Sequence, residues 1–416
     1  MIELGLSRIT RLLKDTPIPW RAIHVAGTNG KGSVCAYASA MLNAGNIKCG
    51  RFTSPHLIDR WDCITIDEII VNETLFHEVE ATVKAKDQDE DIKASEFELL
   101  TATAFEIFNR KKVEVGIIEV GLGGRYDATN VLQEPCVTVI TKIGKDHQNL
   151  LGDSLEDIAY QKAGIIKKGA PCMVDGTNDP CVLGTLKNYA REIGADPLML
   201  VSQDTERTSQ VWSIIAKNQF ELHQQMNVCL AFEAVCSLLV QIHPSLDPVS
   251  FVPAIQTTIW RGRLQLLSIQ SLTGRKQAIL LDGAHNVQSA EALGSYVDRD
   301  LREANSPVTW VVAVSKGKDV PGLLSPLVRL EDKLFAVEFG PVEGMPWVSP
   351  QAVTAITAAA RSLGIQDQMM EGPRSLVNAL QLATRYANGG PLVIAGSLYL
   401  VSDVLRLLRE VEHVLD

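Results

Sequence analysis

Residues 22–33 read AIHVAGTNGKGS, an apolar β-branched run that breaks into a loop carrying three glycines, one lysine and a closing serine. A strand that ends in a glycine-rich turn and runs into a helix aims several backbone N–H groups at one place, and a polyphosphate fits there. Gly27, Gly30 and Gly32 allow close backbone approach, with Thr28 and Asn29 completing the loop. Lys31 can reach terminal phosphates as a point charge, and Ser33 can face a magnesium ion. In the common phosphate-loop spacing a serine or threonine directly follows the lysine; here Gly32 intervenes. Taken alone, the stretch also serves as a plain strand-to-helix turn, so the rest of the chain has to decide.

The chain of 416 residues is longer than one core usually supports, which predicts two domains. Hydrophobic residues at 46% and charged residues at 21% are globular values. No run of about 18 apolar residues suggests a membrane span. A net charge of -10 argues against a general nucleic-acid binder and makes any anion site local. The eight cysteines are scattered without a CxxC pair, which favours reduced, buried thiols and a cytoplasmic protein. Residues 3–14 read as a short amphipathic helix and not as a leader peptide.

Working outward from the loop, a helix from about Ser33 to Asn43 is followed by a strand at 48–52 and by Thr53-Ser54-Pro55-His56-Leu57, which is expected to sit over the nucleotide. Residues 64–71 read as a short strand pair, and 73–86 as a helix that gives out in a polar stretch. Ser95 with Glu98 three residues on is a capping box opening an apolar helix that contains Phe97. Residues 113–120 form a buried strand ending in Glu119 and the turn Gly121-Leu122-Gly123-Gly124-Arg125, followed by Asp127 and Ala128. A carboxylate at a strand's C-terminal end, in a chain with a phosphate loop at another strand end, is a candidate magnesium ligand. Asp146 and His147 end the strand 136–143, and a helix over 154–163 delivers Lys162. Residues 202–220 read as polar and irregular, and Leu222–Gln241 as a strongly apolar helix bearing Asn227.

A boundary near residue 257 divides the chain into 1–256 and 257–416. A new strand and helix alternation follows, with Asp282-Gly283-Ala284-His285-Asn286, Ser315 to Lys318, and Gly396-Ser397 at strand ends. The fold class is therefore α/β, an N-terminal, mostly parallel sheet flanked by helices and a smaller Rossmann-like α/β domain.

Together GTNGKGS (27–33), TSPHL (53–57), SEFELLT (95–101), EVGLGGRYDATNV (119–131), DH (146–147), KAGI (162–165), HQQMN (223–227), DGAHN (282–286) and GSLYL (396–400) resemble the folylpolyglutamate synthase and dihydrofolate synthase family, relatives of the Mur ligases. The resemblance runs from about Ile2 to about Leu405. The opening IELGLSRI, SPHLIDRWDCITI, DGTN (175–178) and VEGMPW (342–347) look more like the fungal dihydrofolate synthases than like polyglutamate-extending enzymes. This resemblance implies ATP-dependent ligation of a pteroate carboxylate to L-glutamate through an acyl phosphate. Its small-molecule partners are ATP, L-glutamate and dihydropteroate or a reduced folate, with no nucleic acid or membrane, and a monomer is expected.

On the same grounds Ser54, Glu119 and His147 match magnesium ligands, and Lys162 matches a lysine that can be carbamylated; a monovalent cation is left open. Asn227 and Arg263 would hold nucleotide, Asp282 and His285 would position glutamate or the intermediate, and Ser397 joins the substrate residues. Ser95, Phe97, Asp127 and Ala128 match a pterin pocket, where an aromatic face can stack and a carboxylate can accept ring N–H groups. Three positions depart from the family pattern. Arg261 stands before Gly262 where proline is usual, which predicts a more mobile loop at Arg263. Lys145 adds charge before Asp146, and Gln161 replaces a glutamate before Lys162. Folylpolyglutamate synthase is the alternative within the class. An inactive folate- or nucleotide-binding paralogue is the alternative outside it. A regulatory P-loop NTPase would have no use for DGAHN.

Overall fold

In chain order the first strands are β1 (Arg21–Ala26), β2 (Cys49–Phe52), β3 (Ile64–Ile66), β4 (Ile69–Ile70), β5 (Val115–Glu119), β6 (Val137–Ile140), β7 (Cys172–Asp175) and β8 (Leu198–Val201). They form one sheet in the order β4-β3-β2-β5-β1-β6-β7-β8. The six strands from β2 to β8 in that order are parallel, and β3 and β4 are added antiparallel at one edge. Apart from Arg21, every β1 side chain is buried, as a strand covered on both faces requires. This computed structural model describes residues 5–195, 197–202, 211, 220–258, 260–302, 306–365, 369–371 and 375–415.

Register decides what the sheet's carboxyl edge displays. Val25 pairs with Glu119, Ala26 with Ile140, Phe52 with Ile118, and Ile140 with Val174. The residues that follow these pairs, Gly27, Thr53-Ser54, Val120-Gly121, Thr141 and Asp175, therefore share one rim, where ligands gather in open α/β sheets. One face of the sheet is covered by the helices Lys31–Ala44 and Leu222–Ile242, which meet Val25, Ile117 and Val139. The other is covered in part by the helices Glu73–Asp89 and Glu96–Lys111 through Phe76, Phe105 and Phe108. Residues 226–236 of Leu222–Ile242 are buried on every side, which suits their nearly continuous apolar pattern. The helix's length and hydropathy would suit a membrane crossing, contrary to the sequence expectation, yet 72% of its apolar window is buried inside the protein.

The chain divides into two compact units, Met1–His56 with Trp61–Ile259, and Leu57–Arg60 with Trp260–Asp416. The second unit carries β9 (Gln265–Leu267), β10 (Ile279–Leu281), β11 (Thr309–Val312), β12 (Lys333–Ala336), β13 (Met369–Glu371) and β14 (Leu392–Ala395), ordered β13-β12-β11-β14-β10-β9 with only β9 antiparallel. Leu57–Arg60 is held there by the C-terminal helix Leu398–Leu415, whose Arg406 donates to the Ile58 carbonyl at 3.1 Å and whose Arg409 pairs with Asp59.

Several element boundaries differ from expectation. The phosphate-loop helix starts at Lys31, not Ser33, and the helix from Glu73 continues to Asp89 through the stretch expected to end it. Among the described residues the first helix spans only Ser7–Leu12. The polar segment expected at 202–220 lies largely outside the described residues. Strands β8, β9 and β13 lie outside the expectation, because runs of four, three and three residues carry too little periodicity to declare a strand without its neighbour.

Candidate active site

The phosphate loop is shaped by two close approaches. At Gly27 (φ 153°) a Cβ would stand 1.8 Å from Thr141 Oγ1, and at Gly30 (φ 93°) one would stand 2.3 Å from Asn227 Oδ1. Only glycine satisfies both the conformation and the space. Gly30 is the residue from which the Lys31–Ala44 helix starts, so the N–H groups of Lys31, Gly32 and Ser33 form its first turn and point off the helix end. This is the anion-binding end. The backbone N–H groups of Thr28 and Asn29, expected at the nucleotide, both donate to the Lys142 carbonyl, at 2.8 and 3.1 Å. The Thr28 hydroxyl donates to Gly144 O at 3.0 Å and accepts from Gly144 N at 3.1 Å. These two residues fasten the loop to the segment after β6, and the following residues present it.

A further layer lies behind that segment. Asn178 accepts the Ile143 N–H at 2.8 Å and donates to the carbonyls of Thr141 and Asp175 at 3.2 and 3.0 Å. Asp175 in turn accepts from the N–H and hydroxyl of Thr177. The family likeness flagged DGTN but gave it no task. An Asp-Gly-Thr-Asn stretch after a buried strand is nevertheless an Asx-turn signal.

At the loop's mouth Lys31 Nζ lies 3.7 Å from Glu119 Oε1 and 3.3 Å from the Thr28 carbonyl. Glu119 Oε2 accepts the Ser54 N–H at 3.2 Å, next to the cis Ser54–Pro55 bond. Three of the expected residues, Lys31, Ser54 and Glu119, thus come together. His147 stands at the N-cap of the short helix Gln148–Leu151 in a left-handed conformation (φ 51°), with its ring half-exposed and its N–H donated to Asp146 Oδ1 at 2.8 Å. Among the described residues no three His, Cys, Asp or Glu side chains converge on one point. Ser54 and Glu119 offer hard oxygen donors of the kind a magnesium-type ion takes.

Lys162 is buried, and its Nζ donates to the Gly27 carbonyl at 2.7 Å. Burial, aided by the nearby Lys31 charge, pulls its pKa down to about 7 against the opposing pull of Asp146 and Asp127. An amine of this kind is substantially neutral, hence nucleophilic, near neutral pH.

On the adjoining turn, Ser95 forms the expected capping box with Glu98, which is also paired with Arg8 at 2.9 Å. Phe97 stacks on Phe52 with centroids 6.1 Å apart and an interplanar angle of 23°, its ring edge lying over Gly121. Ala128, buried, opens the 3-10 turn Ala128–Val131. Asp127 was expected to accept N–H groups from a flat ring. Its carboxylate instead accepts from its own loop: Leu122 N at 2.8 Å, Thr129 N at 3.0 Å and Thr129 Oγ1 at 2.5 Å. Its pKa is raised by burial.

In the second unit, Asp282 uses both carboxylate oxygens on backbone N–H groups, Ala284 at 2.8 Å and Leu264 at 2.7 Å. His285 Nδ1 lies 2.8 Å from the Gly283 carbonyl, which places the proton of the neutral ring on Nδ1. Ser397 is buried and accepts the Tyr399 N–H at 3.1 Å, closing the start of the last helix. The loop at Arg263, expected to be mobile, is tied at three points. Gly262 N donates to Gln265 Oε1 at 2.8 Å, Gly262 O accepts from Gly283 N at 2.8 Å, and Leu264 N reaches Asp282.

Comparison with known proteins decides the family. Residues 25–235 match the Mur ligase middle domain, and residues 265–407 match the dihydrofolate synthetase C-terminal domain. Over 98% of this chain and 99% of the relative, identity is 38% with a probable dihydrofolate synthetase of Schizosaccharomyces pombe. It is 34% with the dihydrofolate synthetase of Saccharomyces cerevisiae, over 98% of each chain. The chain belongs to the dihydrofolate synthase and folylpolyglutamate synthase family. Among solved structures, a bifunctional folylpolyglutamate synthase/dihydrofolate synthase from Yersinia pestis, complexed with AMPPNP and manganese, superposes with a TM-score of 0.78 at 25% identity. That match covers 98% of this chain and 94% of the other.

The residues that sequence reasoning passed over, Asn178 and Asp175, hold the loop from behind. They left a signal only in the turn chemistry of DGTN.

Proposed function

We propose that this synthase joins L-glutamate to 7,8-dihydropteroate at the expense of ATP, giving dihydrofolate, ADP and phosphate. The observation that carries the reading is Lys31 poised between the helix N-terminus and Glu119, with an aromatic-lined turn on the same sheet rim. The preference for dihydropteroate over a longer folate is supported by 38% and 34% identity with fungal dihydrofolate synthetases.

In the first half-reaction an oxygen of the pteroate carboxylate attacks the γ-phosphorus of ATP and ADP leaves, which gives an acyl phosphate. In the second, the glutamate amine attacks the acyl carbon, the C–O bond to phosphate breaks, and the amine proton passes to phosphate or solvent. Lys31 and the N–H groups of residues 31–33 neutralise charge on the transferring phosphoryl group, in a step that needs positioning more than covalent help. Asn227, whose amide lies against Gly30, and Arg263 are assigned to the nucleotide. Glu119, Ser54 and His147 would hold a divalent ion, which supplies charge neutralisation between phosphate oxygens when bound.

Lys162 is assigned to carbamylation. Its neutral amine attacks carbon dioxide, an N–C bond forms, one proton is released and a carboxylate results. Phe97 with Ser95, Ala128 and the turn held by Asp127 receives the pteroate. Asp282, His285 and Ser397 of the second unit are assigned to glutamate. The second reading, extension of reduced folates by γ-linked glutamates, is favoured by the bifunctional Yersinia relative. Mass analysis of products with dihydropteroate and tetrahydrofolate offered in parallel separates the two. ADP release that ignores both pteroate and glutamate would refute both readings.

A further inference from the structure

His24 lies in the middle of β1, paired with Ile118 of β5 on one side and Thr138 of β6 on the other, and its side chain is fully buried. An apolar residue would fill that place at lower cost, because burial disfavours the charged imidazole and pulls its pKa down to about 3. What the ring adds is one hydrogen bond. Its Nε2 lies 2.9 Å from Thr129 Oγ1, and that hydroxyl lies 2.5 Å from Asp127 Oδ1.

Asp127 already accepts backbone N–H groups on both oxygens, and the Thr129 hydroxyl donates to it as well. The Thr129 proton therefore points to Asp127, and the Thr129 oxygen is left to accept. His24 must then be the tautomer protonated on Nε2, with Nδ1 carrying a lone pair that meets no donor among the described residues. Donation runs from His24 to Thr129 to Asp127, whose other carboxylate oxygen accepts the Leu122 N–H. This chain links the strand that launches the phosphate loop to the glycine turn beneath Phe97.

We infer that His24 is a positioning residue for the pteroate side of the reaction, holding the Gly121–Gly124 turn in register with the phosphate loop through Thr129 and Asp127. The inference rests on the proposed assignment of that turn to the pteroate. Leucine at position 24 fills the space and breaks the chain; glutamine can place an amide N–H where Nε2 lies. Thr129→Val breaks the middle link and leaves the imidazole in place.

Steady-state kinetics on His24→Leu, His24→Gln and Thr129→Val test the idea. The Leu and Val variants are expected to raise KM for dihydropteroate about tenfold with KM for ATP within about twofold of the parent, and Gln to recover most of the loss. Equal rises in both KM values, or Leu and Gln variants that behave alike, would overturn it. Should the Leu variant not fold, the Gln and Val variants carry the comparison. Amide hydrogen exchange supplies a readout independent of turnover, with faster exchange at Leu122 and Thr129 expected in the Leu variant and unchanged exchange refuting the link. A parent protein that releases no ADP with dihydropteroate and glutamate refutes the function reading alone, and the exchange result still decides the role of His24.

Discussion

Lys162 Nζ donates to the carbonyl oxygen of Gly27 across 2.7 Å, so a buried amine and the first residue of the phosphate loop share one site. The folded-state pKa of about 7 lies below the ordinary value of 10.5. Between these two values the unfolded chain binds more protons than the folded one, so stability rises with pH through that window. The cost of burying the lysine is fully present below about pH 7 and fades toward pH 10.5. In urea unfolding under carbon dioxide-free buffer, Lys162→Met should therefore compare best with the parent near pH 7, the parent gaining on it as pH rises to 9. A stability difference independent of pH over that range would show that burial does not neutralise the amine.

The same amine has a chemical use if it is carbamylated. Lys162→Ala should lose most turnover and recover part of it when a short carboxylic acid such as acetate is added, because the acid can supply the missing carboxylate to the cavity. Turnover measured with and without added acid decides this, and absence of any rescue would leave the lysine with only its hydrogen bond to Gly27.

Lys31 is expected to behave in the opposite way to a core residue. Its ammonium faces Glu119 and the loop mouth, and its side chain makes no part of the hydrophobic clusters. Lys31→Ala should abolish ADP formation, a loss of at least about a hundredfold for removal of a charge that acts in phosphoryl transfer, while the thermal midpoint stays within a few degrees. Normal turnover in this variant would remove the nucleotide assignment.

What was legible beforehand divides along the range of the interactions. Gly27 and Gly30 were readable because a phosphate loop needs backbone freedom at fixed offsets. Ser95 with Glu98 was readable because a capping box closes within four residues. Leu222–Ile242 was readable as a helix, but whether protein or lipid covers its apolar surface depends on neighbours the local pattern does not reveal. The inward engagement of Asp127 depends on Leu122 and Thr129, and the bond between Thr129 and His24 spans 105 positions of sequence. Such a link exists only once β1 and β5 are in register. Thr28 and Asn29 are of the same kind. Their type suits phosphate contact, and only the position of Lys142 turns their N–H groups away.

Gly30 offers a sharper probe of the loop than its lysine does. Alanine there must accept φ near 93° and bring a Cβ to 2.3 Å from Asn227 Oδ1, so either the loop or the amide has to move. The left-handed conformation alone costs a non-glycine residue roughly 1–2 kcal/mol, and the contact adds to it. Gly30→Ala should weaken ADP binding by tenfold or more in titration calorimetry. Adding Asn227→Ala relieves the contact without relieving φ, so the double variant should recover only part of the affinity. Full recovery would mean that crowding alone fixes the glycine, and an unchanged affinity in Gly30→Ala would mean that the loop's start does not touch nucleotide.

The second unit depends on a buried carboxylate of another kind. Asp332 is fully buried and accepts from Arg302 on both oxygens (2.6 and 2.8 Å), from the N–H groups of Val308 and Arg329 (2.8 and 3.0 Å) and from the Trp310 indole (3.0 Å). These donors come from the segment before β11, from β11 itself and from the turn before β12, so one side chain ties together the N-terminal ends of two neighbouring strands. Asp332→Ala strands several buried donors and leaves Arg302 with Asp298 alone. A loss of about 3–5 kcal/mol is expected, the usual cost of removing one partner of a buried ion pair. Arg302→Met should cost less than Asp332→Ala, because the carboxylate keeps its three neutral donors. If the two variants cost the same in urea unfolding, the ion pair and not the N–H network holds the strand ends; if neither exceeds about 1 kcal/mol, the hub has no structural weight.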